Sequence, residues 1–398
     1  MTISYEINEI SILLELKRYE LIQEIKKESS NFFNERKLKI DINNIVPRWI
    51  MLNLPKHKNI DPLLPHNGLN NIQLRKDLYF FLDKKYNYSF IDNLIKELNL
   101  TERFNNAIDD LKKFINSNFY KNNKDIILIN TELKSDNFYY FNLHKVPKKY
   151  SVDFEIKLHK SVYQKLLKKY TKGNKDILVL LCCIIIRYEA LESYNQQLAV
   201  NPEFYKYLHE NYSVDFELFG SSINCFYKNY CSLFFDLEKY FGSKGYFNFM
   251  NLKKGFYVAN PPFDEQIMKN MSTQFINFLD KSANELSILI TIPVWDVENY
   301  GLYEALEILK KSNYIQYIEN VRKKRTLFYD YYKNKFISPC NIYFILLQNK
   351  KGAQKYNIKN DMKNILLKFF PHPVASFASS VSSASSASSA SFASSESI

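Results

Sequence analysis

The chain has 398 residues, 46% of them hydrophobic and 16% aromatic, with 54 Lys and Arg against 42 Asp and Glu. That length and apolar content exclude a wholly disordered polypeptide and allow two domains around a substantial core. The net charge of +12 suits a polyanionic partner, although plain solubility is an equal reading of so many lysines.

The five cysteines form no CxxC pair, and an odd count without a framework predicts reduced thiols inside a cell, in nucleus or cytoplasm. The six histidines are scattered, so no metal site is expected. No apolar segment near the start reads as a signal peptide. The longest apolar tract, "ILVLLCCIII" (177–186), is too short to span a bilayer and predicts a buried helix, and no membrane association is expected.

In chain order, residues 1–205 read as a mostly helical domain. "ISILLELKRYELIQEIKKES" and "DNLIKELNLTERFNNAIDDLKKFINSNF" carry apolar residues at helical spacing. One interruption, "DIILINTEL" (125–133), reads as a short strand or a buried turn. From about 206 to 370 strands alternate with helices. "SVDFELFG" is a strand, "SSINCFYKNYCSLF" a helix or a turn plus helix capped by Ser222, and "GFYVANPPF" a strand that runs into a double proline. An amphipathic helix "EQIMKNMSTQFINFLDKS", a buried strand "LSILITIPVW", a helix "GLYEALEILKKS" and the strands "YIQYIEN" and "NIYFILLQN" follow. This alternation predicts an α/β domain with a mostly parallel sheet covered on both faces. Residues 371–398 end in Ser/Ala repeats too polar to pack, and a disordered tail is expected there.

The double proline carries the chemistry. In an open α/β sheet, ligands bind outside the carboxyl ends of strands, and Asn260 stands at such an end. An exocyclic amine of adenine or cytosine is a poor nucleophile because its lone pair is delocalised into the ring. Asn260 Oδ1 and the Pro261 carbonyl are placed to accept its two N–H groups, while Pro262 stiffens the turn and Phe263 stacks on the base. Such a device works by positioning and electrostatics and needs no general base. The plainer alternative is a proline-rich turn at a sheet edge.

"VANPPF" resembles the (Asn/Asp)-Pro-Pro-aromatic motif of amino-methyltransferases that use S-adenosylmethionine. The surrounding "FELFGSSINCFYKNYCSLFFDLEKYFGSKG", with "ILITIPVWD" downstream, resembles the phosphorylated-CTD-interacting-factor family, the cap-specific adenosine N6-methyltransferases. The resemblance covers roughly residues 180–350. It implies a Rossmann-like S-adenosylmethionine-dependent methyltransferase domain preceded by a mostly helical, RNA- or cap-binding part. It also implies methyl transfer to N6 of 2′-O-methyladenosine beside a 7-methylguanosine cap. The partner would be capped mRNA starting with adenosine, and a monomer is expected.

Carried over by position, Asn260, Pro261, Pro262 and Phe263 are catalytic, and Glu265 contacts substrate. Trp295, a base- or cap-stacking residue or else a core one, matches a substrate-binding segment in which Asp296, Glu298 and Asn299 depart from the family pattern. Phe219, Gly220, Ser221 and Asn224 would seat the methionine part of the cofactor. Asp236, with Glu238 nearby, would hold ribose hydroxyls or lie in a solvated loop, Asn248 would read the adenine edge or be a polar residue of a surface strand, and Asn260 would border the cofactor. Arg48 beside Trp49 is a candidate cap contact, the alternative being a packing tryptophan with a solvated neighbour. The basic and aromatic run "VRKKRTLFYDYYKNKF" (321–336) suits either single-stranded RNA or a solvated basic loop, and the Lys-rich stretch 144–175 suits either a triphosphate path or a solvated helix face. Two tryptophans so far apart predict no WW module and hence no binding of a phosphorylated polymerase tail. Rival functions are internal RNA or DNA adenine N6-methylation, or a catalytically silent RNA-binding subunit. An intact Asn260 argues against silence.

Overall fold

The computed structural model describes residues 6–372, except residue 8 and residues 55–59, 67–68, 83, 151, 153, 172, 174, 193–196 and 295–302. The expected tail at 375–398 lies outside the described residues.

The first part is built on helices α1 (Ile12–Glu35), α2 (Ile42–Asn53), α3 (Ile72–Phe81), α4 (Tyr88–Leu98) and α5 (Leu100–Asn116). Asparagine side chains set the boundaries of the last two. Asn87 accepts the Phe90 N–H to start α4, and Asn99, in the left-handed region at φ 45°, both ends α4 and caps α5. The uncertain stretch at 125–133 is a strand. β1 (Leu128–Leu133), β2 (Phe138–His144) and β3 (Lys157–His159) form an antiparallel sheet between α6 (Asn118–Asn123) and α7 (Lys160–Lys169). The apolar tract at 177–186 is the core of α8 (Ile177–Ala190), capped by Asp176 and packed on α1, as its sequence predicts. The apolar core of this part also takes in Ile223, Phe234, Leu237 and Phe241 from later in the chain.

After β4 (Leu198–Val200) and α9 (Pro202–Tyr212) comes the large sheet. Its members are β5 (Phe216–Glu217), β6 (Asn229–Tyr230), β7 (Gly255–Ala259), β8 (Leu286–Pro293), β9 (Ile315–Val321) and β12 (Ile342–Gln348). They lie in the order β6-β5-β7-β8-β12-β9. The first four are parallel, and β12 runs antiparallel between β8 and β9. Alternation along β12 sorts its side chains, Phe344 and Leu346 to one face and Ile345 and Leu347 to the other. Both faces are covered, so every residue of β8 is buried. Helix α11 (Glu265–Lys281) and the helix Glu304–Lys310 cover one face, and α9 with the helix Met362–Phe369 covers the other.

One expectation needs correction. No helix forms over "SSINCFYKNYCSLF". The chain turns there, enters β6 and makes only the single turn α10 (Phe235–Glu238). The reason is that side chains replace the helical ladder. Glu217 accepts the Phe226 and Tyr227 N–H groups at 2.6 and 2.8 Å, and Glu238 accepts the Ser222 N–H at 2.6 Å. The basic run at 321–336 carries two short strands. It folds as β10 (Phe328–Asp330) and β11 (Lys335–Ile337), which join β4 in a small antiparallel sheet.

Candidate active site

Strand order reverses at β5, since β6 lies on one side of it and β7 on the other. The crevice beyond the carboxyl ends of β5 and β7 is therefore a topological switch point, where open α/β sheets hold ligands. Two loops border it, Leu218–Asn224 after β5 and Asn260–Phe263 after β7.

Asn260 is held at both ends of its carboxamide. Its Nδ2 donates to the Leu198 carbonyl at 3.4 Å, and its Oδ1 accepts from the Thr291 hydroxyl at 3.0 Å. Pro261 is buried, Pro262 exposed and Phe263 half-buried. The Pro262 carbonyl accepts the Asp264 N–H at 2.8 Å. Asp264 then caps α11 through the Ile267 N–H at 2.9 Å. The prolines thus end the strand without breaking ladder bonds, and the helix starts at once.

The loop after β5 is braced from below. Ser221 N–H donates to Asn224 Oδ1 at 2.7 Å, and the Ser221 hydroxyl reaches Gln197. Asn224 Nδ2 shares the Leu198 carbonyl with Asn260, at 3.5 Å. The two asparagines expected at the site are thereby joined through one backbone oxygen. Burial pushes the Glu217 carboxyl up to about 7, against the pull of the N–H groups it accepts. Burial likewise raises the Glu238 carboxyl. From the Lys-rich stretch, two lysines one helical turn apart on α7 point inward. Lys165 donates to the carbonyls of Ile223 and Cys225, and Lys169 to those of Phe226 and Tyr227. Burial lowers Lys165 to about 8. These cations hold the loop through its carbonyls.

Other expected residues are placed differently. Phe219 is half-buried and tilted against Phe247, with 4.7 Å between ring centroids. Asn248 is exposed on the turn Phe247–Phe249. Both Asp236 oxygens accept from Arg187 NH1 at 2.8 Å, so this carboxylate is already engaged by α8. Trp49 is a core residue, stacked on Phe104 and bonded through Nε1 to Asn71 at 2.8 Å. Trp295, Asp296, Glu298 and Asn299 lie outside the described residues.

Arg48 contacts the motif itself. It pairs through Nε with Asp264 and through NH1 with Asp77 at 2.9 Å. The helical part thereby grips the residue next to Phe263. Burial raises the Asp77 carboxyl to about 6 despite the nearby Arg48 charge. Removing the guanidinium leaves two buried carboxylates facing each other. Arg48→Ala is expected to lose about 1–3 kcal/mol of stability in denaturant unfolding, less than a fully buried pair because Arg48 is 30% exposed. An unchanged midpoint would show that the grip carries no stability.

Glu265, one residue further on, is half-buried. Its Oε1 accepts the Ala305 N–H at 3.3 Å, while its buried Oε2 has no partner among the described residues. Burial raises its carboxyl to about 7, outweighing the N–H groups of Ala305 and Glu304.

Sequence reasoning missed Thr291, the Leu198 carbonyl, Glu217 and the inward lysines. Only the lysines left a signal, their four-residue spacing; the others act across strands that are distant in sequence.

Comparison with known proteins agrees with the resemblance. Residues 157–331 match the family model described as "Phosphorylated CTD interacting factor 1 WW domain". The chain is 32% identical over 152 residues to the mRNA (2'-O-methyladenosine-N(6)-)-methyltransferase of Mus musculus, covering 35% of this chain and 22% of the relative. It is 36% identical over 120 residues to the protein of the same name from Homo sapiens, covering 28% of this chain and 17% of the relative. The chain thus matches about a fifth of the length of these curated relatives. The model's description names a WW domain, which overturns the expectation that this chain has none, and the exclusion of tail binding falls with it. Over residues 157–331, the chain is thus similar to the family described as phosphorylated CTD interacting factor 1.

Proposed function

We propose that this chain methylates the exocyclic N6 amine of adenosine in RNA, with S-adenosylmethionine as donor. The favoured substrate is 2′-O-methyladenosine beside a 7-methylguanosine cap. The observation that carries this reading is Asn260, a fixed carboxamide at the carboxyl end of β7 and at the switch point of the sheet. Similarity to relatives named for this reaction supports the substrate. The strand order supports a Rossmann-like methyltransferase domain, with parallel strands leaving the switch point in both directions and one antiparallel strand near the far edge.

The placement of Asn224 and Asn260 on one backbone oxygen at the switch point supports this cofactor. A Cβ built on Gly220 would meet Asn224, Cys225 and Tyr230 only at ordinary distances of 3.6–3.8 Å. A side chain is thus tolerated there, and the reading of Gly220 rests on its place in the loop after β5 at the switch point. Phe219, Gly220, Ser221 and Asn224 would border the methionine part, and Asn260 would lie between donor and base. When bound, S-adenosylmethionine supplies an electrophilic methyl group whose bonding electrons leave with sulfur. The chain's part is to draw the N6 hydrogens toward Asn260 Oδ1 and the Pro261 carbonyl, which localises the nitrogen lone pair toward that methyl. Phe263 holds the base plane, and the methylated amine then releases its proton to water. Glu265 Oε2, without a partner among the described residues, suits a polar group of the substrate.

The test is transfer of a labelled methyl group to RNA beginning with 7-methylguanosine-triphosphate-(2′-O-methyl)adenosine, against the same RNA uncapped. The capped RNA is expected to be the far better substrate. Raising salt should weaken uncapped binding at least as much, because the chain's positive charge attracts any RNA. Trp295→Ala should lower the preference for the cap, since a cationic methylated guanine stacks well on indole. Better transfer to uncapped RNA or duplex DNA would overturn the substrate and leave the amine chemistry standing.

A further inference from the structure

Two atoms around Asn260 do different jobs. A carboxamide can flip, and transfer on the proposed reading requires its oxygen to face the amine. The Leu198 carbonyl only accepts, so it selects the orientation in which Nδ2 points to β4. That carbonyl is itself fixed. Its neighbour Gln197 bonds through its own carbonyl to Tyr331 N–H at 3.1 Å in the small sheet, which turns the Leu198 oxygen the opposite way, toward the two asparagines. One anchor still lets the amide swing about the bond to Nδ2. The second anchor is Thr291, 3% exposed on β8, one position beyond the Ala259–Ile290 pairing. Its single hydroxyl proton lies within reach of Asn260 Oδ1 at 3.0 Å and of the Ala259 carbonyl at 3.3 Å.

We propose that Thr291 is a positioning residue: its hydroxyl locks the Asn260 carboxamide in plane and leaves the second lone pair of Oδ1 aimed at the amine. This rests on the amine-clamp reading of Asn260. A carbonyl oxygen accepts two hydrogen bonds, so Thr291 and the amine need not compete. If they do, the Ala259 carbonyl is a ready alternative for the proton. The β-branched side chain suits the role, because its χ1 is stiff in a strand and the hydroxyl cannot wander. Misplacing a reacting group by about 1 Å costs about 100-fold in rate, so a swinging acceptor is expensive in kcat even when binding is intact.

Thr291→Val removes the hydroxyl and keeps the branched shape, and Thr291→Ser keeps the hydroxyl. Thr291→Val should lower kcat by about 10- to 100-fold, with KM for RNA, cofactor affinity and melting temperature nearly unchanged, and Thr291→Ser should recover most of the rate. Independently of turnover, the Asn260 side-chain amide signal, assigned by its loss in Asn260→Ala, should shift or broaden in Thr291→Val and return in Thr291→Ser. Wild-type kcat in Thr291→Val with a dead Asn260→Ala overturns the proposal alone. Transfer retained in Asn260→Ala overturns the clamp and this proposal together. Equal losses in the valine and serine variants would also overturn it, since packing rather than the hydroxyl would then be at work.

Discussion

Asn260→Ala is expected to bring methyl transfer below detection, a fall of about 1,000-fold or more by comparison with removal of other preorganised polar groups. The side chain is half-buried and its two bonds go to Leu198 and Thr291, so the variant loses little packing and strands little that matters to stability. Cofactor affinity should change by only a few fold. The lost acceptor serves a nitrogen that becomes a better hydrogen donor as the new bond forms, and such differential stabilisation appears in kcat. The measurement is single-turnover transfer alongside cofactor titration and thermal unfolding. Near-normal turnover in a folded, cofactor-binding variant would remove Asn260 from the mechanism. A collapse of cofactor affinity with kcat preserved would make it a cofactor seat.

The largest stability effect is expected at Arg187. This side chain is fully buried on α8 and joins Glu15 of α1 to Asp236 of α10. Glu15 is bound in turn by Arg18 at 2.6 Å, and Arg18 by Asp61 at 2.8 Å. Burial alone would raise the Glu15 carboxyl, but the Arg18 and Arg187 charges outweigh it and hold it below the usual carboxylate range. Arg187→Met keeps the bulk and removes the charge, leaving Asp236 unpaired and Glu15 half-satisfied. A loss of about 3–5 kcal/mol is expected, seen as a fall in melting temperature of roughly 5 °C.

The pH dependence has a definite sign. Folding depresses the Glu15 pKa, so the stability it contributes is full above its unfolded value of about 4.3 and fades as pH falls through the lower folded value. The gap between Arg187→Met and the parent chain should therefore narrow in acid. A gap that is small at neutral pH, or that widens below about pH 4, would show the network to be energetically idle. Because Asp236 stands in the same turn as Glu238, which holds the Ser222 N–H, loosening Arg187 should also weaken cofactor binding.

What could be read in the linear chain was whatever depends on local periodicity and backbone chemistry. The buried helix at 177–186 was visible because ten apolar residues closed by a charge have no other stable use. The strands at 255–259 and 286–293 and the helix starting at 265 were visible because Asn-Pro-Pro-Phe-Asp must end a strand and can cap a helix. The family resemblance rested on the same stretch, and the comparisons support it over residues 157–331. The helix expected at "SSINCFYKNYCSLF" failed because apolar spacing there competes with buried carboxylates that take the N–H groups first.

The sequence by itself thus determined which segments form strands and helices around the motif and which residue types could serve an amine. Only the tertiary structure decided what holds those residues in place. Thr291 meets Asn260 because β8 lies beside β7 in one register, and Leu198 because a strand 62 residues away turns its carbonyl toward the same amide. Arg48 reaches Asp264 across 216 residues, and Arg187 reaches Glu15 across 172. No spacing rule encodes such meetings. They follow from the packing of whole elements, where the cost of burying an unpaired polar group selects its partner.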